Sequence, residues 1–264
     1  MTAGVICGAA SLGLICGELV CSSAYRIPAG IKTFASPVCR GCGRKLKWYE
    51  CIPLFSYIFS GGKRRCCGEK ISAARLLMPL SCAALFVVCA LSFYDDHPVY
   101  AALAAIECSL LFAVAAVDFS HKWIPDRYQI ALAVTGGLTF LSETGEKAFS
   151  CPISWSDRLL GLAVGGGFFL LIYFGARIIL KREGMGFGDV KLAICAGLFI
   201  GWKGMLLGVI IGSVSASVIL IILRRKNGDG KDTEYPFAPF LATGFALAVF
   251  LAEPLINAYL NLLS

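Results

Sequence analysis

Apolar residues gather in eight long stretches, at roughly 3–23, 76–94, 98–117, 124–141, 158–180, 189–201, 204–223 and 237–262. Most approach the ~20 residues a helix needs to cross the ~30 Å hydrocarbon core of a bilayer. The sixth is short and glycine-rich. Polar residues fall very unevenly between these stretches. If alternate connections lie on opposite sides, 26–75, 118–127, 177–191 and 224–231 share one side and carry 21 of the 24 Lys and Arg. The other side keeps Lys147, Arg158 and Lys203. The positive-inside rule then predicts about eight transmembrane helices with both termini outside and the basic connections in the cytoplasm. Seven spans would scramble that split.

Composition agrees with the pattern. Of 264 residues, 58% are hydrophobic and 16% charged, with a mean hydropathy of +0.76, which exceeds what soluble domains carry. The expected fold is an all-α polytopic membrane protein with a small cytoplasmic Cys-containing domain after the first helix. No Lys or Arg precedes Ala3–Ser23, so that run reads as a span rather than a signal peptide. The net charge of +7 belongs to one membrane face and suits anionic lipid. No nucleic-acid motif accompanies it, so nucleic acid is not an expected partner.

The chain divides into the first span (1–23), a cytoplasmic segment (24–75) and a membrane bundle (76–264). Seven of the 13 cysteines lie in spans, where they pack as small apolar groups, and Cys151 alone is expected outside. The other five lie in 24–75. There Cys39-Arg40-Gly41-Cys42 is a Cys-x-x-Cys knuckle, followed by Cys51 and by Cys66-Cys67. Such a set in a reducing compartment suits a structural Zn²⁺. Cys39, Cys42 and Cys67 would supply three thiolates, with Cys66 or Cys51 as the fourth. Free thiols in a degenerate loop are the bland alternative.

The chemistry concentrates in Gly184-Met185-Gly186-Phe187-Gly188-Asp189-Val190-Lys191, at the cytoplasmic start of the sixth stretch. Asp189 either caps the next helix or is reactive. Asp118 ends the third stretch at the same expected depth. Two carboxylates brought together by helix packing share one proton, because neighbouring like charges cannot both ionise. The ionised member activates a water while the protonated one polarises a carbonyl, which is aspartic peptide hydrolysis. Gly186 and Gly188 let another backbone approach. Glu183 and Lys191 flank Asp189, to orient substrate or to neutralise each other. Asp126, after Ile124-Pro125, is expected to cap the fourth span. Glu107, inside the third, is expected to pair.

Ala116-Val117-Asp118, Lys122-Trp123-Ile124-Pro125-Asp126, Glu183 to Lys191 and Pro236-Phe237-Ala238-Pro239 together resemble the bacterial type IV prepilin peptidases. Ser36-Pro37, Cys39/Cys42, Trp48-Tyr49-Glu50 and Ile52-Pro53-Leu54 resemble their N-terminal cytoplasmic domain. The resemblance implies an enzyme of the bacterial cytoplasmic membrane, with Asp118 and Asp189 as the catalytic pair facing the cytoplasm. It would remove the short basic leader of type IV prepilins or pseudopilins after a glycine. It would then N-methylate the new N-terminus with S-adenosylmethionine, an activity associated with 24–75. Two positions depart from the family pattern: Arg64 replaces a cysteine and Cys21 replaces an asparagine. A peptidase without methylation is therefore one alternative. A proton-coupled transporter using the two aspartates is another.

Overall fold

The computed structural model describes residues 3–28, 30, 38–39, 42–45, 61–63, 66–68, 70, 74–140, 152–181, 185–227 and 235–263. Among them the regular elements are helices: α1 (Ala3–Arg26), α2 (Ala74–Phe93), α3 (Pro98–His121), α4 (Asp126–Leu138), α5 (Trp155–Gly175), α6 (Phe187–Asn227) and α7 (Ala238–Leu263). A single π-turn, Ala176–Leu180, extends α5. The breaks have local causes. Proline removes an N–H and is tolerated at a helix start, and Pro98 opens α3 in that way. Lys122 closes α3 in the left-handed region at φ 54°, donating its N–H to the Asp118 carbonyl at 2.8 Å. Ile124-Pro125 precedes α4, and Tyr235-Pro236-Phe237 precedes α7.

Six helices among the described residues are long and apolar enough to cross a membrane: α1, α2, α3, α5, α6 and α7. Three of the eight expected stretches take another form. The stretch 124–141 yields α4, whose 13 residues rise ~20 Å, well short of the hydrocarbon thickness. The stretches 189–201 and 204–223 join in the 41-residue α6, which is broken at Gly201 (φ 69°, ψ 176°). That backbone is open only to glycine without strain, so the break falls where the sequence separates the two stretches.

The chain forms two compact units, Met1–Leu91 and Ser92–Ser264. In the first, α1 approaches α2 closely at Gly13, where a Cβ would lie 2.6 Å from the Ala83 Cα. This unit also holds two short turns closed by the antiparallel bridges Val38–Lys45 and Lys63–Lys70.

In the second unit α6 packs extensively on α5 and α7, while α4 packs on α6 and α3 on α7. α3 is the central helix: 61% of its apolar window is buried, against 33% for α7 and 22% for α5. Its Leu111, Val114 and Val117 meet a core that includes Leu192, Phe199, Leu241 and Phe245. Leu171 and Ile179 remain exposed on the outer surface, as lipid-facing side chains do. The α5–α6 contact depends on missing side chains. A Cβ on Gly161 would fall inside the Gly197 carbonyl and 2.8 Å from the Gly201 Cα. Two backbones thus touch where small residues allow it, and α6 is held at one depth against its neighbour.

Candidate active site

Three helix ends converge in the second unit. Asp118 lies in the last turn of α3, and Asp189 lies in the first turn of α6. Both side chains are buried, at 7% and 9% exposure, and the two carboxyl groups interact electrostatically. Asp189 accepts a hydrogen bond from the Gly186 N–H, and its own N–H donates to the Gly186 carbonyl at 3.1 Å. This is the acidic half of a capping box, in which the third helical residue reaches back to the cap backbone. The capping and reactive readings of Asp189 are therefore compatible, since one side chain serves the helix start and faces Asp118. Asp118 accepts from the N–H of Ala238, the first residue of α7. The N-termini of α6 and α7, each a site of partial positive charge, thus meet the carboxylate pair.

α4 braces the glycine motif from the side. The Gln129 amide Nε2 donates to the Gly188 carbonyl at 3.0 Å, and Ile124 lies 3.4 Å from where a Cβ on Gly188 would stand. Gln129 is 4% exposed, and its Oε1 has no hydrogen-bond partner among the described residues. Sequence reasoning passed Gln129 over. Its one signal was a lone amide in an otherwise apolar turn, three residues after Asp126.

Lys191 turns away from the carboxylate pair. Its Nζ forms an ion pair with Asp126 at 2.7 Å and lies 5.5 Å from the centre of the Phe187 ring. Asp126 was expected to cap α4. Instead Pro125 occupies the cap position and makes no side-chain cap bond, while Asp126 is the first helical residue and ties α4 to α6. The expected Glu183 lies outside the described residues, as does Cys51. Glu107 is fully buried and accepts from the Thr135 hydroxyl, joining α3 to α4 inside the bundle. It takes the pairing role expected of an intramembrane acid and stands apart from the site.

In the first unit, Cys39, Cys42, Cys66 and Cys67 place their sulfurs within 4.8 Å of one another. Cys39 and Cys67 are 3.7 Å apart, and Cys66 and Cys67 are 3.9 Å apart. Four thiolates at ~2.3 Å from a tetrahedral Zn²⁺ would sit about 3.8 Å apart, so the donor set fits that ion. Gly43 and Gly68, at φ 71° in each case, turn the backbone directly after Cys42 and Cys67. The two turns are thus alike, with Cys66 supplying the sulfur that its turn otherwise lacks. The Cys66 thiol is pushed up to about 12 by its hydrogen bond with Cys39 and by the nearby Cys42 and Cys67 sulfurs.

Fold and site together define a helical membrane protein that keeps two interacting carboxylates at one end of its bundle. Residues 105–221 match the type IV leader peptidase family, and residues 11–93 match the bacterial peptidase A24 N-terminal domain. A prepilin leader peptidase/N-methyltransferase of Xanthomonas campestris pv. campestris is 31% identical over 83% of this chain and 73% of its own. One of Bacillus subtilis is 31% identical over 95% of this chain and 96% of its own. One of Dichelobacter nodosus is 33% identical over 77% and 67%. The chain belongs to the type IV leader peptidase family. No solved structure matches it.

Proposed function

We propose that this chain is a membrane aspartic endopeptidase that removes the short basic leader of type IV prepilins or pseudopilins after a glycine. It then N-methylates the exposed residue with S-adenosylmethionine. The observation that carries the reading is the buried, interacting pair Asp118 and Asp189 at the junction of α3, α6 and α7. One carboxyl keeps the shared proton and polarises the scissile carbonyl. The other takes a proton from water, and the resulting hydroxide adds to the carbon. Collapse of the tetrahedral adduct breaks the C–N bond, with the amine taking up the proton. The Gly186–Gly188 backbone leaves room for the extended substrate, and Gln129 and Ile124 hold that backbone.

The protein sits in the bacterial cytoplasmic membrane with the carboxylate pair and the basic connections facing the cytoplasm. The leader then stays in water while the substrate's apolar segment remains in lipid. On this reading α6 counts as two crossings divided at Gly201 and the stretch 124–141 crosses as well, although only 13 of its residues are helical in α4, which makes eight crossings and leaves both termini outside. The cysteine cluster holds Zn²⁺ through Cys39, Cys42, Cys66 and Cys67, ordering the cytoplasmic segment. S-adenosylmethionine is the methyl donor. The described residues include no strand-to-helix glycine turn of the nucleotide-binding kind, and no side chain is assigned to the donor. Proton transport is the weaker reading, since both aspartates lie at one end of the bundle and Glu107 is engaged with Thr135.

Cleavage of a purified prepilin, followed by mass spectrometry with S-adenosylmethionine present, tests the proposal. Asp118→Asn and Asp189→Asn should each abolish cutting in a folded protein. Near wild-type cutting by either variant would remove that residue from the pair. A cut product without the added methyl would leave a peptidase alone.

A further inference from the structure

A cavity of about 370 Å³ opens at the end of the second unit opposite the carboxylate pair. Part of its wall is aromatic. Phe93 meets Tyr100 edge-on at 5.2 Å and stacks on Phe250 at 5.8 Å. Around this wall stand Asp157, Lys203 and Glu253, with the Trp202 indole donating to the Asp157 carboxylate at 3.0 Å. Among the described residues, Lys203 and Glu253 have no ion-pair or hydrogen-bond partner and the second Asp157 oxygen has none either. Pro254, which also lines the cavity, has no N–H to give the carbonyl of Phe250, so that carbonyl lacks its usual helical donor.

Depth sets the kind of ligand. From Asp118 to Tyr100 along α3 is 18 residues, or ~27 Å, from Asp189 to Trp202 about 20 Å, and from Ala238 to Glu253 about 22 Å. These runs cover roughly two thirds or more of the ~30 Å of a hydrocarbon core, and all three lead from the carboxylate pair to the other end of the bundle. With the carboxylate pair at one interface, the cavity lies at the depth of the opposite headgroups. A free cation beside free acceptors complements a zwitterion. We propose that this cavity binds the headgroup of an aminophospholipid, with the phosphate on Lys203 and the primary ammonium on Glu253, Asp157 and the Phe250 carbonyl. A primary ammonium offers three N–H donors and these three acceptors match them. A quaternary ammonium has none and would keep only the charge attraction of the carboxylates and the aromatic wall. An anionic glycerol headgroup offers hydroxyl donors but no cation, and would leave both carboxylate charges uncompensated.

Native mass spectrometry of the delipidated full chain in detergent tests this with phosphatidylethanolamine, phosphatidylcholine and phosphatidylglycerol of matched acyl chains, and with free O-phosphoethanolamine. Wild type should retain phosphatidylethanolamine about tenfold better than either other lipid, the effect of one charge-assisted hydrogen bond. Lys203→Met and Glu253→Gln should each remove that preference, and Lys203→Arg should keep it. Thermal unfolding of each variant reports whether it is folded, and Glu253→Gln carries the test if the methionine variant is not. Equal retention of phosphatidylcholine or phosphatidylglycerol would overturn the assignment, as would wild-type retention by both neutral variants. Free O-phosphoethanolamine binding as well as the lipid would overturn the lipid as occupant.

Discussion

Replacing Gln129 with methionine should separate stability from catalysis. The side chains are similar in volume, so packing beside Ile124 changes little. Two polar effects oppose each other. The Gly188 carbonyl loses the donor that holds it at 3.0 Å, and a buried carbonyl without a donor costs about 1–3 kcal/mol. The same substitution removes Oε1, a buried acceptor without a partner among the described residues, whose burial carries a comparable penalty. The net change in stability should fall within about 1 kcal/mol of zero. Position is another matter. Gly188 immediately precedes Asp189, and loss of an anchor worth about 1.4 kcal/mol lowers the ratio of working to displaced motif about tenfold. Turnover should fall severalfold, with about tenfold as the limit, and KM should change little because substrate binds whichever way the motif stands and the loss is in the fraction of enzyme that is competent. The assay is prepilin cleavage at several substrate concentrations beside detergent-phase thermal unfolding of the same preparation. Full turnover in Gln129→Met would refute the bracing role. A large loss of stability would refute the cancellation.

The remaining expectations concern other contacts. Gly161→Ala should destabilise the bundle by roughly 1–3 kcal/mol, seen as a lowered midpoint of thermal unfolding, because the new methyl meets backbone rather than a side chain able to move. Lys191→Met should change stability by less than about 1 kcal/mol, since the pair is 39% and 71% exposed and solvent screens it. A stability loss beyond that would give the ion pair more weight than its exposure allows. Purified protein should carry one zinc per chain by elemental analysis, and Cys67→Ser should lose it while still cutting prepilin. Zinc affinity should weaken as pH falls, because protons compete for thiols and Cys66 holds its proton up to about 12. Metal uptake that ignored pH would argue against thiolate ligation.

Much of this protein is legible in the sequence because membrane burial is a one-dimensional demand. A helix must stay apolar for most of its length, so α1, α2, α3 and α7 appear as uninterrupted runs, and prolines near 28, 98, 125 and 236 mark where helices stop or start. The Cys39/Cys42 knuckle and the glycine spacing around Asp189 are likewise local signals. Span number was less legible. Hydropathy makes α4 look longer than its 13 helical residues, and it is blind to whether Gly201 bends one helix or divides two.

Pairwise relations needed the tertiary structure. Asp118 and Asp189 are 71 positions apart, and only the packing of α3, α6 and α7 puts their carboxyl groups within electrostatic reach. The same packing gives Asp118 the Ala238 N–H, turns Lys191 towards Asp126, and sets Gln129 under Gly188. It also brings Cys66 into the sulfur cluster, where the sequence left Cys66 and Cys51 both open as the fourth thiol. The sequence by itself determined which segments leave water and which residues can react. Which of those residues meet was decided in three dimensions, because the partners of a buried polar group come from neighbouring helices that chain spacing does not encode.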